Sequence, residues 1–526
     1  MNQENQPKLF ELIKSMTMSE KRYFKLSASL HKGETNNMKL FDAIEEQSVY
    51  SEATLIEKLK GESFVKDLPV AKNALYNHIL KILRDYNSSD SDRQQMRNLL
   101  TEAEIVKQKG LFDHYEALLI KAKKIAYKFE KFQVVAEIIC LQKGLLFSRD
   151  PKKKQENSLE ELIGEENIIL SRYGKEVKFR NILCRIQDNY YSNNIPRSEE
   201  EIQSFKALAG DDLEFIIHMK TGEEDEQLSY TAKYECFSSK MLYYYAMGDE
   251  EQAYQSTLQL IAMMDRHANH PNLQIGSYIL TYSNLGTFCM RLKKFDECHA
   301  AISKIRNMQV TSADLKGMIF KLSYEKELKM YVNSGHFQKG MDLIPEVEKG
   351  LKIHEKTITD IYLFSIWASY SELYFGNGNY TQAAQWLNKM LNHPGFKNSK
   401  IDFQCYARIL SVVVQYEMGK QDLLEYSIRS TYRFLLMRKK LYKTEFAFLN
   451  FFKKKAPRLN SKKLQVEAFV ELKAELEGIM KDPFEQQALD LFDFITWLES
   501  KITGRPFAEI VIEKSSRVST PSKDRA

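Results

Sequence analysis

Gly378-Asn379-Tyr380-Thr381-Gln382-Ala383 decides how this chain is read. A glycine can end a helix because it takes the left-handed backbone at no steric cost. An aromatic ring two residues later opens a second helix, and the alanine three residues further on lets the two helices approach closely. The pattern returns as Lys293-Lys294-Phe295-Asp296-Glu297-Cys298 and Gly335-His336-Phe337-Gln338-Lys339-Gly340. Gly248-Asp249-Glu250-Glu251-Gln252-Ala253 and Gly419-Lys420-Gln421-Asp422-Leu423-Leu424 keep the frame without the aromatic, and Gly110-Leu111-Phe112 with Tyr115 is an earlier copy. Equivalent positions fall at 250, 295, 337, 380 and 421, at intervals of 45, 42, 43 and 41. One such hairpin cannot bury its apolar face alone, so the copies must stack. The expected fold class is all-α: α–α hairpin repeats stacked as a solenoid, with an N-terminal helical cap or small helical domain.

Start signals elsewhere agree. Thr17–Glu20, Ser158–Glu161 and Ser198–Glu201 read as capping boxes. Asp482-Pro483-Phe484-Glu485 combines an N-cap acid, a proline in the first helical position and a glutamate at the third. The alternating apolar stretch Ala508 to Glu513 is short and stands alone. The chain holds 21 Gly and 11 Pro in 526 residues, below the usual shares of about 7% and 5%. That excludes collagen-like, low-complexity and turn-rich β architectures. With 43% hydrophobic and 12% aromatic residues the chain can fill a large core.

The expected sections are an N-terminal helical section (1–90), atypical hairpins (91–227), the regular repeats (228–428), basic-then-acidic C-terminal helices (429–502) and a disordered tail (503–526). Helices are expected near 38–47, 51–60 and 69–86, and loops at 148–157 and 221–227. Leu68 to His78 reads either as the start of a recognition helix or as part of a solenoid cap. Balanced charge, 13 basic against 13 acidic residues over 1–90, favours the cap.

The repeats resemble the tetratricopeptide-repeat family over roughly 230–430 and weakly over 100–125. Leu285-Gly286, Cys289, Phe295, Cys298, Ile302 and Ile305 sit at that family's spacing. So do Tyr370, Ser371, Tyr374, Tyr380, Ala383, Leu387 and Met390, with Pro394 just beyond. The period exceeds the family's usual ~34 residues, and Pro345 should kink or end the second helix of one repeat. The resemblance implies a groove lined by first helices that binds a protein or peptide partner. It places Tyr245, Ser283, Glu325, Lys329, Glu372 and Phe375 there. The family's clamp for chaperone tails uses Lys and Asn. Its positions here are Ser238, Ser283, Glu325 and Ala368, then Leu242, Thr287, Lys329 and Glu372, so the clamp pattern is missing.

No catalytic constellation is readable. Gly376 and Gly378 form a G-x-G without a preceding strand. S-x-x-K at Ser63–Lys66 and Ser323–Lys326 lacks its companion motifs. His267 and His270 flank a loop without further ligands, and Cys289 and Cys298 occupy small-residue repeat positions that read as core. No cofactor, no metal and no enzymatic activity are expected. Six cysteines without C-x-x-C fit a reduced compartment. The start lacks the basic and apolar regions of a signal peptide. The longest stretch free of Lys, Arg, Asp and Glu, 267–290, carries too many polar residues to span a bilayer. A cytoplasmic location is expected, and oligomeric state is not encoded in any motif.

The net charge of +5 conceals two opposed blocks. Residues 429–463 hold 12 Lys/Arg and one acid, Glu445, whereas 466–500 hold nine acids and two lysines. At about 100° per residue, Arg429, Arg433, Lys440 and Lys443 share one helix face. Two readings stand: a patch for an anionic partner, nucleic acid included, or a solvated face neutralised by the acidic helices that follow. A binding scaffold is the first functional expectation, and a nucleic-acid-linked regulator the alternative.

Overall fold

The recurring turn is built by backbone geometry. In a computed structural model of the chain, Gly110, Gly248, Gly335, Gly378 and Gly419 all adopt left-handed φ between 66° and 78°. Lys293 takes the same conformation at φ 57°. In most of these turns the next residue's N–H reaches back to a carbonyl five residues earlier: Asp249 to Tyr244 at 3.0 Å, Lys294 to Cys289 at 2.7 Å, Asn379 to Tyr374 at 2.8 Å. This is the Schellman closure of a helix C-terminus. Two further turns share it, Lys131 to Ala126 and Lys440 to Leu435, with Glu130 and Lys439 in the left-handed position.

The structure describes residues 8–29, 35–86, 92–148, 158–193, 196, 198–210, 213–220, 228–454, 461–482, 485 and 492–516. The expected loops (beyond Ser148 in the first), most of 483–491 and the tail from 517 lie outside the described residues. Every regular element among those described is helical. Two compact units emerge, Met1–Leu170 and Ser171–Ala526. The expected section 91–227 is therefore divided between them.

The first unit contains α1 (Lys8–Ser15), α2 (Met18–Ser29), α3 (Thr35–Glu45), α4 (Glu52–Lys58), α5 (Leu68–Tyr86), α6 (Asp92–Gln108), α7 (Phe112–Lys128) and α8 (Phe132–Ser148). Helices α1 to α5 enclose a core around Phe24, Phe41, Leu55, Leu75 and Ile79. Helices α6 to α8 form two successive hairpins. Thr17–Glu20 and Ser158–Glu161 make the reciprocal capping bonds, with Glu20 accepting from the Thr17 N–H at 2.7 Å and Glu161 from that of Ser158 at 2.8 Å. Helix α9 (Leu159–Asn193) contains the residues at which the two units are divided.

The second unit continues with α10 (Glu199–Ala209) and α11 (Leu213–His218), then the repeats: α12 (Tyr230–Ala246) with α13 (Glu250–Arg266), α14 (Ile275–Arg291) with α15 (Phe295–Arg306), α16 (Ala313–Ser334) with α17 (Phe337–Asp342) and α18 (Ile344–Ile353), α19 (Asp360–Gly376) with α20 (Tyr380–Leu391), and α21 (Ile401–Glu417) with α22 (Gln421–Met437). Each pair packs as a hairpin, and each hairpin packs on the next. The small positions Ala253, Cys298, Gly340 and Ala383 are buried between paired helices. At Gly340 an added Cβ would lie 2.4 Å from Leu373. Pro345 sits in the first turn of α18, which splits the second helix of that repeat in two.

Helices α23 (Lys443–Lys454), α24 (Lys462–Ile479), α25 (Phe494–Thr503) and α26 (Phe507–Ser516) extend the repeat core. Phe448, Phe452, Phe469 and Trp497 join the same apolar cluster as Leu373 and Leu410. Trp497 donates from Nε1 to Glu417 at 2.6 Å. The structure corrects the expected disordered tail between Thr503 and Ser516. Residues Phe507–Ser516 are helical, and Phe507 stacks on Phe337 and meets Phe375, with ring centroids 5.9 and 5.7 Å apart. The Ala508–Glu513 alternation is absorbed into that helix.

Candidate partner-binding groove

First helices of successive repeats supply most of one face of the second unit, with Leu260 of α13 among its lining residues. In the second unit this face forms a groove of two adjoining cavities. One, of about 660 Å³, draws lining residues from α9, α12, α14, α16 and α19 and from the start of α21. The other, of about 350 Å³, lies toward the hairpin turns and is closed by Phe492, Phe507 and Val511. Tyr245, Thr287, Glu325, Lys326 and Lys329 line both.

Glu325 carries the fixed charge of the groove. Its carboxylate accepts from the Ser365 hydroxyl at 2.7 Å and pairs with Lys326 at 3.3 Å. Burial opposes its ionisation, but Lys326, Ser365 and Lys329 outweigh burial and hold it below the ordinary carboxylate value. Beside it the buried Tyr362 hydroxyl has no hydrogen-bond partner among the described residues. Burial, reinforced by the Glu325 charge, raises that phenol's pKa. Arg291 reaches across to Glu250 at 2.6 Å and covers the Tyr245 ring at 5.2 Å. Asn284, on the open face of α14, meets the Met241 sulfur at 3.6 Å, a weak acceptor.

Of the six groove residues read from the sequence, Tyr245, Glu325 and Lys329 line both cavities, and Glu372 and Phe375 line the smaller one. Phe375 lies buried under Phe492 and Phe507. Ser283 is buried outside the lining, where Thr287 of the next helical turn takes its place. Sequence reading missed Asn284, Lys400 and Phe403. The fifth repeat lacks the turn aromatic, so nothing marked Lys400 and Phe403 as groove residues.

The four basic residues of the second candidate patch do not share one helix face as expected: Arg429 and Arg433 lie on α22, which ends at Met437, Lys440 follows the left-handed turn at Lys439, and Lys443 opens α23. Arg429 pairs with Glu425 at 3.0 Å, one helical turn away. Lys440 reaches the Tyr442 hydroxyl at 3.4 Å. Lys443 meets Asp482 at 3.4 Å, and Glu485 accepts the backbone N–H groups of Lys443 and Thr444, each at 3.1 Å. Thus the basic and acidic blocks touch at Lys443. Other acids are committed elsewhere: Glu499 to Lys473 and Lys514, at 2.9 and 2.7 Å. Arg433 is exposed and has no ion-pair partner among the described residues.

His270, Cys289 and Cys298 are packed against other residues of the fold. His270 stacks on Tyr230 at 4.6 Å. Cys289 and Cys298 are buried thiols, pushed up to about 12 by burial. Among the described residues no three His, Cys, Asp or Glu converge as metal ligands, and no helix is long and apolar enough to cross a membrane.

No protein-family profile matches the chain. No curated protein matches it either. Among solved structures it is similar to "Crystal Structure of the Apo Form of RapI", at 11% identity and a TM-score of 0.37, over 78% of this chain and 99% of that one.

Proposed function

We propose that this chain is a non-enzymatic interaction protein and that the groove across α12, α14, α16, α19 and α21 binds an extended or helical segment of a protein partner. One observation carries the reading. Five first helices contribute to a single concave surface on which Asn284, Thr287, Lys329 and Lys400 alternate with Leu242, Tyr245, Ile361 and Phe403. Polar groups at helical-turn intervals can meet a peptide backbone, and apolar patches between them can take its side chains. Glu325 and Lys329 give the groove mixed charge, which suits a segment bearing both signs better than a lone terminal carboxylate.

Affinity capture with the full chain should recover stoichiometric protein partners. Asn284→Ala combined with Lys329→Gln, which adds no second carboxylate beside Glu325, should weaken capture at least tenfold, with the thermal transition measured alongside as the control for folding. Both side chains are half-buried on the groove face, and Asn284→Ala gives up only the weak contact with the Met241 sulfur. Partner recovery that is indifferent to both changes would remove the groove from consideration.

A further inference from the structure

Away from the groove, the outer face of α22 carries large apolar side chains in water. Tyr426 is 71% exposed, Leu436 56% and Met437 83%, and Phe446 on neighbouring α23 is 46% exposed. At about 100° per residue, Tyr426, Arg429, Arg433, Leu436 and Met437 fall within one arc of the helix. The stripe is therefore apolar and cationic at once. Exposed apolar side chains grouped in this way mark interaction surfaces.

A cavity of about 450 Å³ opens beside this stripe, where α22 meets α23. Tyr416, Leu424, Ile428 and Phe452 form its apolar lining, and its rim carries the exposed Arg429 and Lys453 beside Asp422 and Glu425. Lys453 lies over the Tyr432 ring at 5.5 Å. Between 421 and 454 the sequence has eight Lys/Arg against Asp422, Glu425 and Glu445. Of these acids Glu445 is buried and Glu425 is held by Arg429. The acidic helices do not cancel the rest: Arg433, Arg438, Lys439, Lys453 and Lys454 have no ion-pair partner among the described residues.

We propose that the α22–α23 face is a second docking surface, and that its occupant is an acidic amphipathic segment of a partner protein. One bulky apolar residue of that segment fills the cavity, and flanking carboxylates meet Arg429, Arg433 and Lys453. The concavity and the aliphatic residues choose between anionic partners. A nucleic-acid backbone offers phosphates to the cations but no apolar knob for the cavity, and it gains nothing from Leu436 or Met437. A lipid surface is too flat to enter the cavity. A protein segment satisfies both features, since interface anchors are large apolar side chains seated in pockets and rimmed by polar contacts.

The test is fluorescence anisotropy on the full chain with labelled short acidic peptides, each carrying a single Phe, Leu, Trp or Met. At least one should bind. Changing its apolar residue to Ala should weaken binding about tenfold or more. Arg429→Glu with Arg433→Glu should do the same, and both positions are exposed, so the fold is retained. The peptide-side change needs no protein variant at all. Three results overturn the proposal: no peptide of the set binds; binding is indifferent to the apolar residue; or duplex DNA, single-stranded RNA or phosphatidylserine vesicles bind through these arginines where the peptides do not.

Discussion

Glu235 lies on α12 with one carboxylate oxygen 3.0 Å from Arg180 Nε, while its other oxygen is buried without a hydrogen-bond partner among the described residues. Arg180 also holds Glu176, which accepts from the Ser229 hydroxyl at 3.0 Å. Burial dominates at Glu235, and the neighbouring Glu176 charge adds to it. Arg180 offsets part of this, and the carboxyl is pushed up to about 7. The folded chain therefore keeps a proton that the unfolded chain releases near pH 4.5. The stabilisation is full below that value and is lost as pH rises through about 7. Chemical denaturation from pH 5 to 8 should show stability falling by on the order of 2 kcal/mol from this group. Glu235→Gln, which keeps an acceptor for Arg180, should flatten that slope. An unchanged slope would mean that Glu235 stays ionised throughout. Glycines give a second residue-scale contrast. A Cβ at Gly376 would lie 2.4 Å from the Phe337 ring, whereas Gly144, inside α8, faces open space. Gly376→Ala should cost about 1–3 kcal/mol. Gly144→Ala should gain about 0.5–1 kcal/mol. Urea midpoints separate the two.

At the scale of the element, legibility followed the turn chemistry. Turns at Gly248, Gly335, Gly378 and Gly419 were readable because a glycine marks the left-handed position, and the buried small residue five positions on confirms it in the first three. The turns at Glu130 and Lys439 use the same backbone closure but place a charged residue at φ 49° and 55°. An L-residue in that region costs about 1 kcal/mol, and nothing in its identity announces the turn. The same physics gives a prediction. Lys439 is exposed, so Lys439→Gly should raise stability by about 0.5–1 kcal/mol, read as a shift in the urea midpoint. Stability unchanged or lowered would show that the left-handed geometry is not strained there. Cavity-lining positions could be read at Glu325 and Lys329, whose repeat keeps both the turn aromatic and the small residue, and at Tyr245, whose repeat keeps the small residue alone. Ser283 shows the limit: a shift of one helical turn exchanges a buried hydroxyl for the groove-lining Thr287.

In the second unit, taken whole, the C-terminal helices decide where the repeat core ends. Sequence composition from Thr503 onward is polar, which reads as a tail because the few apolar residues have no visible partner. Their partner is more than a hundred residues upstream. Phe507 packs against Phe337 and Phe375, Ile510 is buried, and Ile512 lies against the Gly335 turn, where an added Cβ would come within 2.8 Å of it. Polar contacts fix the register: Ser515 donates to the Ser334 carbonyl at 3.4 Å, and Lys293 to that of Lys514 at 3.2 Å. Two truncations distinguish a tail from a wall. Ending the chain after Ser516 keeps every one of these contacts and should leave the thermal transition in place. Ending it after Thr503 strips the cover from Phe337 and Phe375, losing roughly 3–6 kcal/mol of apolar burial. The midpoint should fall by several degrees, and an exposed-surface dye should bind the folded chain. Equal midpoints for the two truncations would mean that α26 adds nothing to the fold. The shorter truncation also widens the end of the groove near Phe375, so its partner capture should change in the same experiment. A chain that loses stability yet captures the same partner with equal strength would place the binding determinants wholly in the larger cavity, around Asn284 and Lys400.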